Sequence, residues 1–411
     1  MEFVAGYVLQ ASAGCLVVLV AYWITERRAL EKRRRAVPLR ICVTGTRGKS
    51  SVVRLLAAIL RQSGRRVLAK TTGSKPVLIL PDGAEREIAR FGRPSILEQK
   101  RVLAAAARSG ADAVVVEMMS IRSENLRAES AAIFRPGILA VTNVRLDHLD
   151  DMGRTKDAIA AALAAAVPSG GTTFVLEEES YPAFADAAKA RGGTLVPVPK
   201  EESALAGAET GTREFPENDR LAAAIAASLG IAPDVIAAGI AAARPDYGAL
   251  RLWKARESAH VHALYLASVF AANEPESSAQ AIASLRRRHP GLPKTAVAVL
   301  NLRSDRGDRT MQWLQALEDG FFAPFSNLVF VGDHARAMGR RKWDKRLSPA
   351  ADLEATLLPV ISAVPARDPA RIMATLAHLV AGDALIVGLG NVGGAGEALV
   401  DHWARTGEAM S

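Results

Sequence analysis

The segment 44–51 of the chain, Thr-Gly-Thr-Arg-Gly-Lys-Ser-Ser, contains the residue types that bind the phosphates of a nucleotide. It follows the apolar run from Leu39 to Val43 and precedes a helical pattern, so it predicts a loop between a strand and a helix. Glycines let backbone amides approach an anion, the helix N-terminus attracts it, and a lysine supplies positive charge. We therefore predict a phosphate site formed by Gly45, Thr46, Arg47, Gly48, Lys49, Ser50 and Ser51.

The spacing of this loop leaves one alternative open. Val43 stands five residues before Gly48, where the strict Walker pattern has a glycine. A glycine loop alone is also compatible with a plain turn. The strand, the Gly-Lys-Ser sequence and the helix together favour phosphate binding.

Two further apolar runs end in side chains that could bind a metal or a phosphate. Glu117 directly follows one run, and the other is followed by Asn143, Asp147 and His148. Ligands of parallel α/β sheets bind beyond the carboxyl ends of the strands, so we expect these residues near the phosphate loop. Ser50 and Glu117 are candidate Mg²⁺ ligands, and His148 is a candidate metal or phosphate ligand. For Glu117 the alternative is a surface glutamate at a strand end or beside a helix N-cap, and for Asn143 and Asp147 it is an ordinary turn residue.

The composition predicts a globular protein with room for two domains and a tail. Of the 411 residues, 49% are hydrophobic and 23% are charged, which suits packed cores. Cys15 and Cys42 are the only cysteines and indicate neither a disulfide framework nor a zinc cluster, so a reducing compartment fits. Beyond the N-terminal region we find no basic stripe with interleaved aromatic residues, and we predict no nucleic-acid partner.

The N-terminal segment predicts a membrane anchor. The run from Phe3 to Ile24 has no charged residue and as a helix would span about 33 Å, close to the thickness of a bilayer core. A cleaved signal peptide is the alternative. The segment Glu26–Arg35 supplies four of the nine net positive charges, which predicts contact with anionic lipid and a cytoplasmic position for the chain beyond Arg35. We therefore expect residues 1–35 to form a single-pass anchor and a basic juxtamembrane segment in the inner (plasma) membrane.

The remaining chain predicts the α/β fold class. Apolar runs alternate with amphipathic stretches, as in a mostly parallel sheet wrapped by helices. An alanine-rich helix ends at a proline and glycine turn near residue 245, so we predict an ATP-binding domain over 36–245 and a smaller C-terminal α/β domain over 246–411. The predicted strands of the first domain are Leu39–Val43, Arg66–Ala69, Asp112–Val116, Ile138–Thr142 and Thr173–Leu176.

These motifs resemble a known family. The phosphate loop, the strand that ends in Glu117 and the stretch 143–150 are similar, in this order, to the central P-loop ATPase domain of the Mur ligase superfamily of amide-bond ligases. Within it, the N-terminal run, the segments 70–73, 81–83 and 98–99, and Asn-Val-Arg-Leu-Asp-His-Leu-Asp-Asp-Met-Gly at 143–153 closely resemble the PgsB/CapB family, the ligase subunits of poly-γ-glutamate synthases.

The resemblance implies roles for individual residues. Lys49 would hold the β- and γ-phosphates of ATP, Ser50 and Glu117 the first Mg²⁺, and His148 a second metal near an acyl phosphate, which makes Lys49, Glu117 and His148 the implied catalytic residues. Asn218 matches an adenine-contacting asparagine. The carbamylated lysine of many Mur ligases has no evident match; the following helix offers Lys156. Further implied contacts to phosphate or substrate are Arg303, Asp305, Arg306, Lys70, Thr71, Thr72, Asn143 and Asp147.

The implied function is ATP-dependent formation of γ-glutamyl bonds through an acyl phosphate. Glutamate and the growing polyglutamate chain would be substrates, and small membrane proteins of a synthase and export complex would be partners. One alternative is a membrane-anchored P-loop NTPase that drives transport or switches a partner without forming a bond. Within the ligase class, folate polyglutamylation is the other alternative.

Overall fold

A computed structural model of the chain describes residues 2–73, 76–90, 95–147, 149–200, 216–244, 250–255, 262–270, 272–305, 307–341 and 359–410. The chain divides into an N-terminal unit that ends at Arg244 and a C-terminal unit beyond it. Each unit is built on one sheet, which confirms the predicted α/β class.

The chain begins with the helix α1, Glu2–Ala36. Among the residues that the structure describes, no helix combines the length and the apolar character that crossing a bilayer requires. This finding contradicts the predicted transmembrane anchor, and with it the predicted single-pass location in the inner membrane. The prediction considered the uncharged run alone, whereas α1 continues without a break into the charged segment. Its apolar side chains from Leu16 to Ile24 are exposed.

The second half of α1 packs against the N-terminal unit. Leu30 and Arg34 are buried. The Arg34 guanidinium donates to the carbonyl of Ile133 at 2.9 Å and to that of Ala132. Both carbonyls belong to a π-helical turn, Ala128–Phe134. Part of the basic segment is therefore engaged with protein carbonyls, and Arg34 is not available to the lipid contact that we predicted.

The N-terminal unit contains eight strands and eight further helices among its described residues. The strands are β1 Leu39–Thr44, β2 Val67–Lys70, β3 Val77–Ile79, β4 Glu85–Glu87, β5 Ala113–Glu117, β6 Ile138–Val141, β7 Thr172–Leu176 and β8 Thr194–Val198. The helices are α2 Lys49–Gln62, α3 Glu98–Arg108, α4 Ser123–Arg127, α5 Leu149–Met152, α6 Lys156–Leu163, α7 Pro182–Ala190, α8 Pro216–Ser228 and α9 Pro233–Ala242. Short 3₁₀ turns lie at Ala164–Ala166 and Glu177–Glu179.

The sheet order is β4-β3-β2-β5-β1-β6-β7-β8. Only β3 runs against the others, because it pairs antiparallel with both β2 and β4. All five predicted strands are present, with small differences at their ends. The sequence did not predict β3, β4 and β8; the first two are three residues long, too short for a periodic pattern.

The register of the central strands determines where the loops meet. Val43 of β1 pairs with Glu117 of β5, and Thr44 pairs with Val141 of β6. The three strands are parallel, so the phosphate loop, Glu117 and the segment after Val141 all leave the same edge of the sheet.

Two apolar layers cover the sheet. Helices α2, α8 and α9 form one layer, with the apolar side chains of α2 almost completely buried. The other layer includes α3, α6, α7 and the π-helical turn. Helices α2 and α9 approach closely at Gly239, where an added Cβ would lie 2.4 Å from Ile59 Cα. Close backbone contact with α9 therefore holds α2, the helix that follows the phosphate loop, in place.

The C-terminal unit has a seven-stranded sheet in the order β13-β12-β11-β14-β10-β9-β15. Its strands are β9 Arg251–Ala255, β10 Leu264–Ser268, β11 Ala296–Leu302, β12 Asn327–Gly332, β13 Val360–Val364, β14 Ala384–Gly390 and β15 Gly407–Met410. Its helices are α10 Pro275–Arg288, α11 Gly307–Glu318, α12 Ala335–Arg340, α13 Pro369–His378 and α14 Ala395–Thr406. The strands β13, β12, β11, β14 and β10 are parallel to one another.

We expect Gly239→Ala to lower the free energy of unfolding by roughly 1–3 kcal/mol, because the new methyl group must displace backbone of α2. Helix propensity alone would predict the opposite sign, since alanine is favoured over glycine by about 1 kcal/mol. The control is Ala238→Gly on the exposed side of α9, which should cost about 1 kcal/mol by propensity. Denaturant unfolding measures both, and a stabilised Gly239→Ala protein would contradict the close packing.

Candidate active site

The phosphate loop connects β1 to α2 and has glycines where the fold requires them. Gly45 and Gly48 have φ values of 124° and 75°, which other residues rarely adopt. A Cβ at Gly45 would lie 2.1 Å from Thr142 Oγ1, and one at Gly48 would lie 2.6 Å from Asn218 Oδ1. Gly48 also caps the N-terminus of α2. The loop thus presents backbone amides at a helix N-terminus, the arrangement that binds phosphate.

Lys49 lies against the loop that precedes it. Its Nζ donates to the carbonyl of Gly45 at 2.7 Å and to that of Thr46 at 3.2 Å. The ammonium group therefore lies against two carbonyl oxygens of the phosphate loop, and its contact with phosphate stays a prediction.

Ser50 and Glu117 are in direct contact at the start of α2. Ser50 Oγ donates to Glu117 Oε2 at 2.6 Å, and the amide of Thr72 donates to the same oxygen at 2.7 Å. Glu117 is the last residue of β5 and is only 4% exposed. A hydroxyl and a carboxylate beside a phosphate loop are oxygen donors of the kind that Mg²⁺ takes. The two residues therefore fit the predicted metal.

Behind Glu117 lie Gln99 and Glu129, to which the sequence analysis gave no role. Gln99 Nε2 donates to the Glu117 carbonyl at 3.1 Å and to the Glu129 carboxylate. Glu129 is fully buried and accepts from the amide of Met119 at 3.2 Å and from Ser120 Oγ at 2.8 Å. These bonds hold the strand end that carries Glu117. The sequence feature that could have indicated Glu129 is the presence of a carboxylate within the alanine-rich segment 128–134.

Asn143 joins its own loop to the phosphate loop. Its Oδ1 accepts from Thr46 Oγ1 at 2.8 Å and from the Arg47 amide at 3.0 Å. The Arg145 amide in turn donates to Thr46 Oγ1 at 2.8 Å, and Arg47 and Asp147 form an ion pair at 3.4 Å. Asn143 and Asp147, both predicted to contact substrate, are buried and position the phosphate loop.

Glu179 is another residue that sequence reasoning missed. It lies in the 3₁₀ turn after β7, and its Oε2 accepts from the Val144 amide at 3.0 Å. Burial raises the pKa of Glu179, although the bond from Val144 opposes the shift. The bond between Glu179 and Val144 helps to fix the loop that carries Asn143.

The predicted second metal ligand, His148, lies outside the described residues. Among the residues that are described, no group of three or more His, Cys, Asp and Glu side chains could hold a metal. Lys156 lies exposed in the first turn of α6. The role of His148 stays a prediction.

Asn218 lies in the first turn of α8. Its amide group is buried against Gly48. The structure thus brings Asn218 to the phosphate loop, and the adenine contact stays a prediction.

Lys70 and Thr71 are fully buried at the end of β2. Lys70 Nζ contacts Glu98 Oε1 at 2.7 Å and Gln99 Oε1 at 3.3 Å. Burial lowers the pKa of Lys70, against the bond with Glu98. Burial raises the pKa of Glu98, but the bonds from Arg90 and Lys70 outweigh it and leave this pKa below its ordinary value. Lys70 and Glu98 therefore form a contact that opposes the effect of burial on both groups.

The C-terminal candidates lie at the end of β11. Arg303 and Asp305 form a two-point ion pair at 2.9 and 2.7 Å and are partly exposed. Arg306 lies outside the described residues. Between β11 and β14, Asn301 Nδ2 donates to the carbonyls of Asn391 and Gly393 at 2.5 and 2.9 Å. The predicted phosphate or substrate contacts of Arg303 and Asp305 stay predictions.

The sequence is similar to Mur-ligase-type domains and to CapB proteins. The family model described as "Mur ligase middle domain" matches residues 43–224, and "Poly-gamma-glutamate synthase CapB C-terminal domain" matches residues 256–406. The "Capsule biosynthesis protein CapB" of Bacillus anthracis is 31% identical over 307 residues, which cover 73% of this chain and 64% of that protein. The "PGA synthase CapB" of Bacillus subtilis is 32% identical over 328 residues, 78% of this chain and 80% of that protein.

Solved structures show the same fold at low identity. A crystal structure of MurF from Acinetobacter baumannii matches with a TM-score of 0.60 and 15% identity, covering 92% of this chain and 78% of that chain. A bifunctional folylpolyglutamate synthase/dihydrofolate synthase from Yersinia pestis, complexed with AMPPNP and a Mn ion, matches with a TM-score of 0.56 and 14% identity. It covers 92% of this chain and 93% of that chain.

We expect Gly48→Ala to weaken the binding of a nonhydrolysable ATP analogue by about tenfold or more, because the new Cβ meets Asn218 and distorts the loop. The matched control is Gly64→Ala, which has a similar φ of 84° but no neighbour within 4 Å. Calorimetric titration measures affinity, and thermal unfolding measures the strain that both variants share. Equal affinity in the two variants would contradict a nucleotide site at this loop.

We expect Glu117→Gln to reduce Mg²⁺-dependent ATP turnover by about 100-fold or more, because an amide is a poor metal ligand. Glutamine keeps the shape and one acceptor oxygen, so the unfolding midpoint should stay near that of the parent protein. Glu124→Gln, exposed on α4, is the control. A Glu117→Gln enzyme with the metal dependence of the control would exclude Glu117 as a ligand.

Proposed function

The chain belongs to the CapB family of Mur-ligase-like, ATP-dependent and ADP-forming amide ligases, and we propose that it forms γ-glutamyl bonds in poly-γ-glutamate through an acyl phosphate. The observation that carries the proposal is the meeting of three strand ends. The phosphate loop, the Ser50–Glu117 pair and the Asn143 loop lie at the carboxyl ends of β1, β5 and β6. The names of the CapB relatives support the substrate class.

ATP is the proposed energy source, bound at residues 45–51. The Lys49 ammonium would exchange the carbonyl oxygens of Gly45 and Thr46 for phosphate oxygens. Ser50 and Glu117 would hold Mg²⁺, which supplies positive charge that offsets the charge of the phosphates. Asn143, through Thr46 and the Arg47 amide, keeps the loop in the conformation that points its amides at the anion.

Activation is needed because a carboxylate is a poor electrophile at neutral pH. In the proposed first step, a carboxylate oxygen of the glutamate chain attacks the γ-phosphorus, the bond to the bridging oxygen breaks, and ADP leaves. In the second step, the neutral amine of an incoming glutamate attacks the acyl carbon, phosphate leaves, and the amine loses a proton to solvent. Neither step requires a covalent enzyme nucleophile.

The proposed partners are those that the names of the relatives indicate. Glutamate and the growing chain would be the substrates, and other subunits of a synthase complex would be the protein partners. The small membrane proteins and the lipid contact at residues 26–35 stay predictions.

We expect that ADP and phosphate are released only when glutamate and a γ-glutamyl acceptor are supplied, and that a longer amide product appears. With oxygen-18 in the acceptor carboxylates, label should appear in inorganic phosphate, because the acyl phosphate loses the carboxyl oxygen with the phosphate. Mass spectrometry measures both products.

Three results would contradict this proposal. Label in AMP would indicate adenylation instead of phosphorylation. Hydrolysis of ATP with no amide product would favour the NTPase alternative. Extension of a folate acceptor in preference to a γ-glutamyl acceptor would favour folate polyglutamylation.

A further inference from the structure

A cavity of about 680 Å³ lies beside β4 and α3 in the N-terminal unit. Its volume is in the range of ligand-binding sites. Among the described residues, four arginines line it: Arg86 on β4, Arg90 between the two elements, and Arg101 and Arg108 on α3. Arg101 and Arg108 are separated by about two helical turns, so they lie on the same face of α3.

Three of these four arginines are not paired with a described carboxylate. Arg86, Arg101 and Arg108 are exposed, and within the described part of the chain none of them forms an ion pair. Two carboxylates also line the cavity, Glu87 and Glu98. Glu98 is already bound by Arg90 at 3.0 Å and by Lys70 at 2.7 Å. The cavity therefore has an excess of positive charge facing solvent.

The cavity wall connects to the candidate active site. Glu98 contacts Lys70, Lys70 contacts Gln99, and Gln99 donates to the carbonyl of Glu117. Glu98 and Gln99 are neighbours at the start of α3, one facing the cavity and the other facing the strand end of β5. The two sites thus share one short segment of the chain.

We propose that this cavity binds the already formed part of the poly-γ-glutamate chain. The inference rests on the proposed function and extends it, because it gives the acceptor a second binding site away from the reacting end. A γ-linked chain keeps one free carboxylate per residue and is a polyanion. Arginine guanidinium groups pair with carboxylates in a two-point geometry. Charge complementarity therefore selects the product chain as the occupant.

The test compares Arg101→Gln/Arg108→Gln with Arg127→Gln, a control at an exposed arginine on α4. Binding of a γ-glutamyl octamer and a γ-glutamyl dimer is measured by titration without ATP, at two salt concentrations. We expect the double variant to bind the octamer roughly tenfold more weakly, with a smaller salt dependence. Turnover with the dimer as acceptor and the unfolding midpoint should match the control, and the polymer should be shorter.

Unchanged octamer affinity in the double variant would overturn the proposal. Binding of an oligonucleotide as tightly as the octamer, with loss of that binding in the same variant, would also overturn the proposal. The cavity would then be a general anion-binding surface. Octamer binding needs no turnover, so it tests the cavity even if no amide forms. Failure of the parent protein to extend the dimer would instead contradict the proposed function.

Discussion

The burial of the Glu117 carboxylate is the constraint on which the N-terminal unit depends. A buried carboxylate needs partners, because desolvation of an unpaired charge is costly. Its partners come from two different loops, the Ser50 hydroxyl from the start of α2 and the Thr72 amide from the end of β2. They meet because Val43 pairs with Glu117 in the sheet. A shift of one residue between β1 and β5 would turn the carboxylate to the other face of the sheet.

The two units use the same edge of their sheets in different ways. In the N-terminal unit, charged groups meet there, and Arg47 with Asp147 and Lys70 with Glu98 form buried or partly buried pairs. In the C-terminal unit, the amides of Asn301 and Asn391 join the ends of β11 and β14, and the ion pair of Arg303 and Asp305 at the end of β11 is partly exposed. Lys49, Ser50 and Glu117, the side chains that suit phosphate and metal binding, thus lie at this edge of the N-terminal sheet.

The sequence was sufficient for five of the eight described strands of the N-terminal unit and for the loop between β1 and α2, because their signals are local. Apolar runs of five residues and the Gly-Lys-Ser sequence are visible without knowledge of the fold. Glu129 and Glu179 could not be found in this way, because their partners are distant in sequence and a polar residue in an amphipathic stretch is typical of a surface position. Gln99 belongs to a segment that resembles the family, but the resemblance gave it no role. The bonds of Asn143 to the phosphate loop were not predicted either, and its contact with substrate stays a prediction. The contradicted anchor has a similar origin, since a hydropathy pattern was interpreted without the rest of its helix.

The contacts of Arg34 limit how far the chain can be shortened from its N-terminus. Its guanidinium donates to the carbonyls of Ala132 and Ile133, near the end of the π-helical turn. The last carbonyl groups of a helix have no partner within the helix, so they need donors of this kind. Trimming all of α1 to simplify crystallisation would remove these donors and expose the layer that Leu30 covers. A boundary placed before Glu26, which also binds Lys100, would preserve them, so expression trials should retain the charged half of the helix.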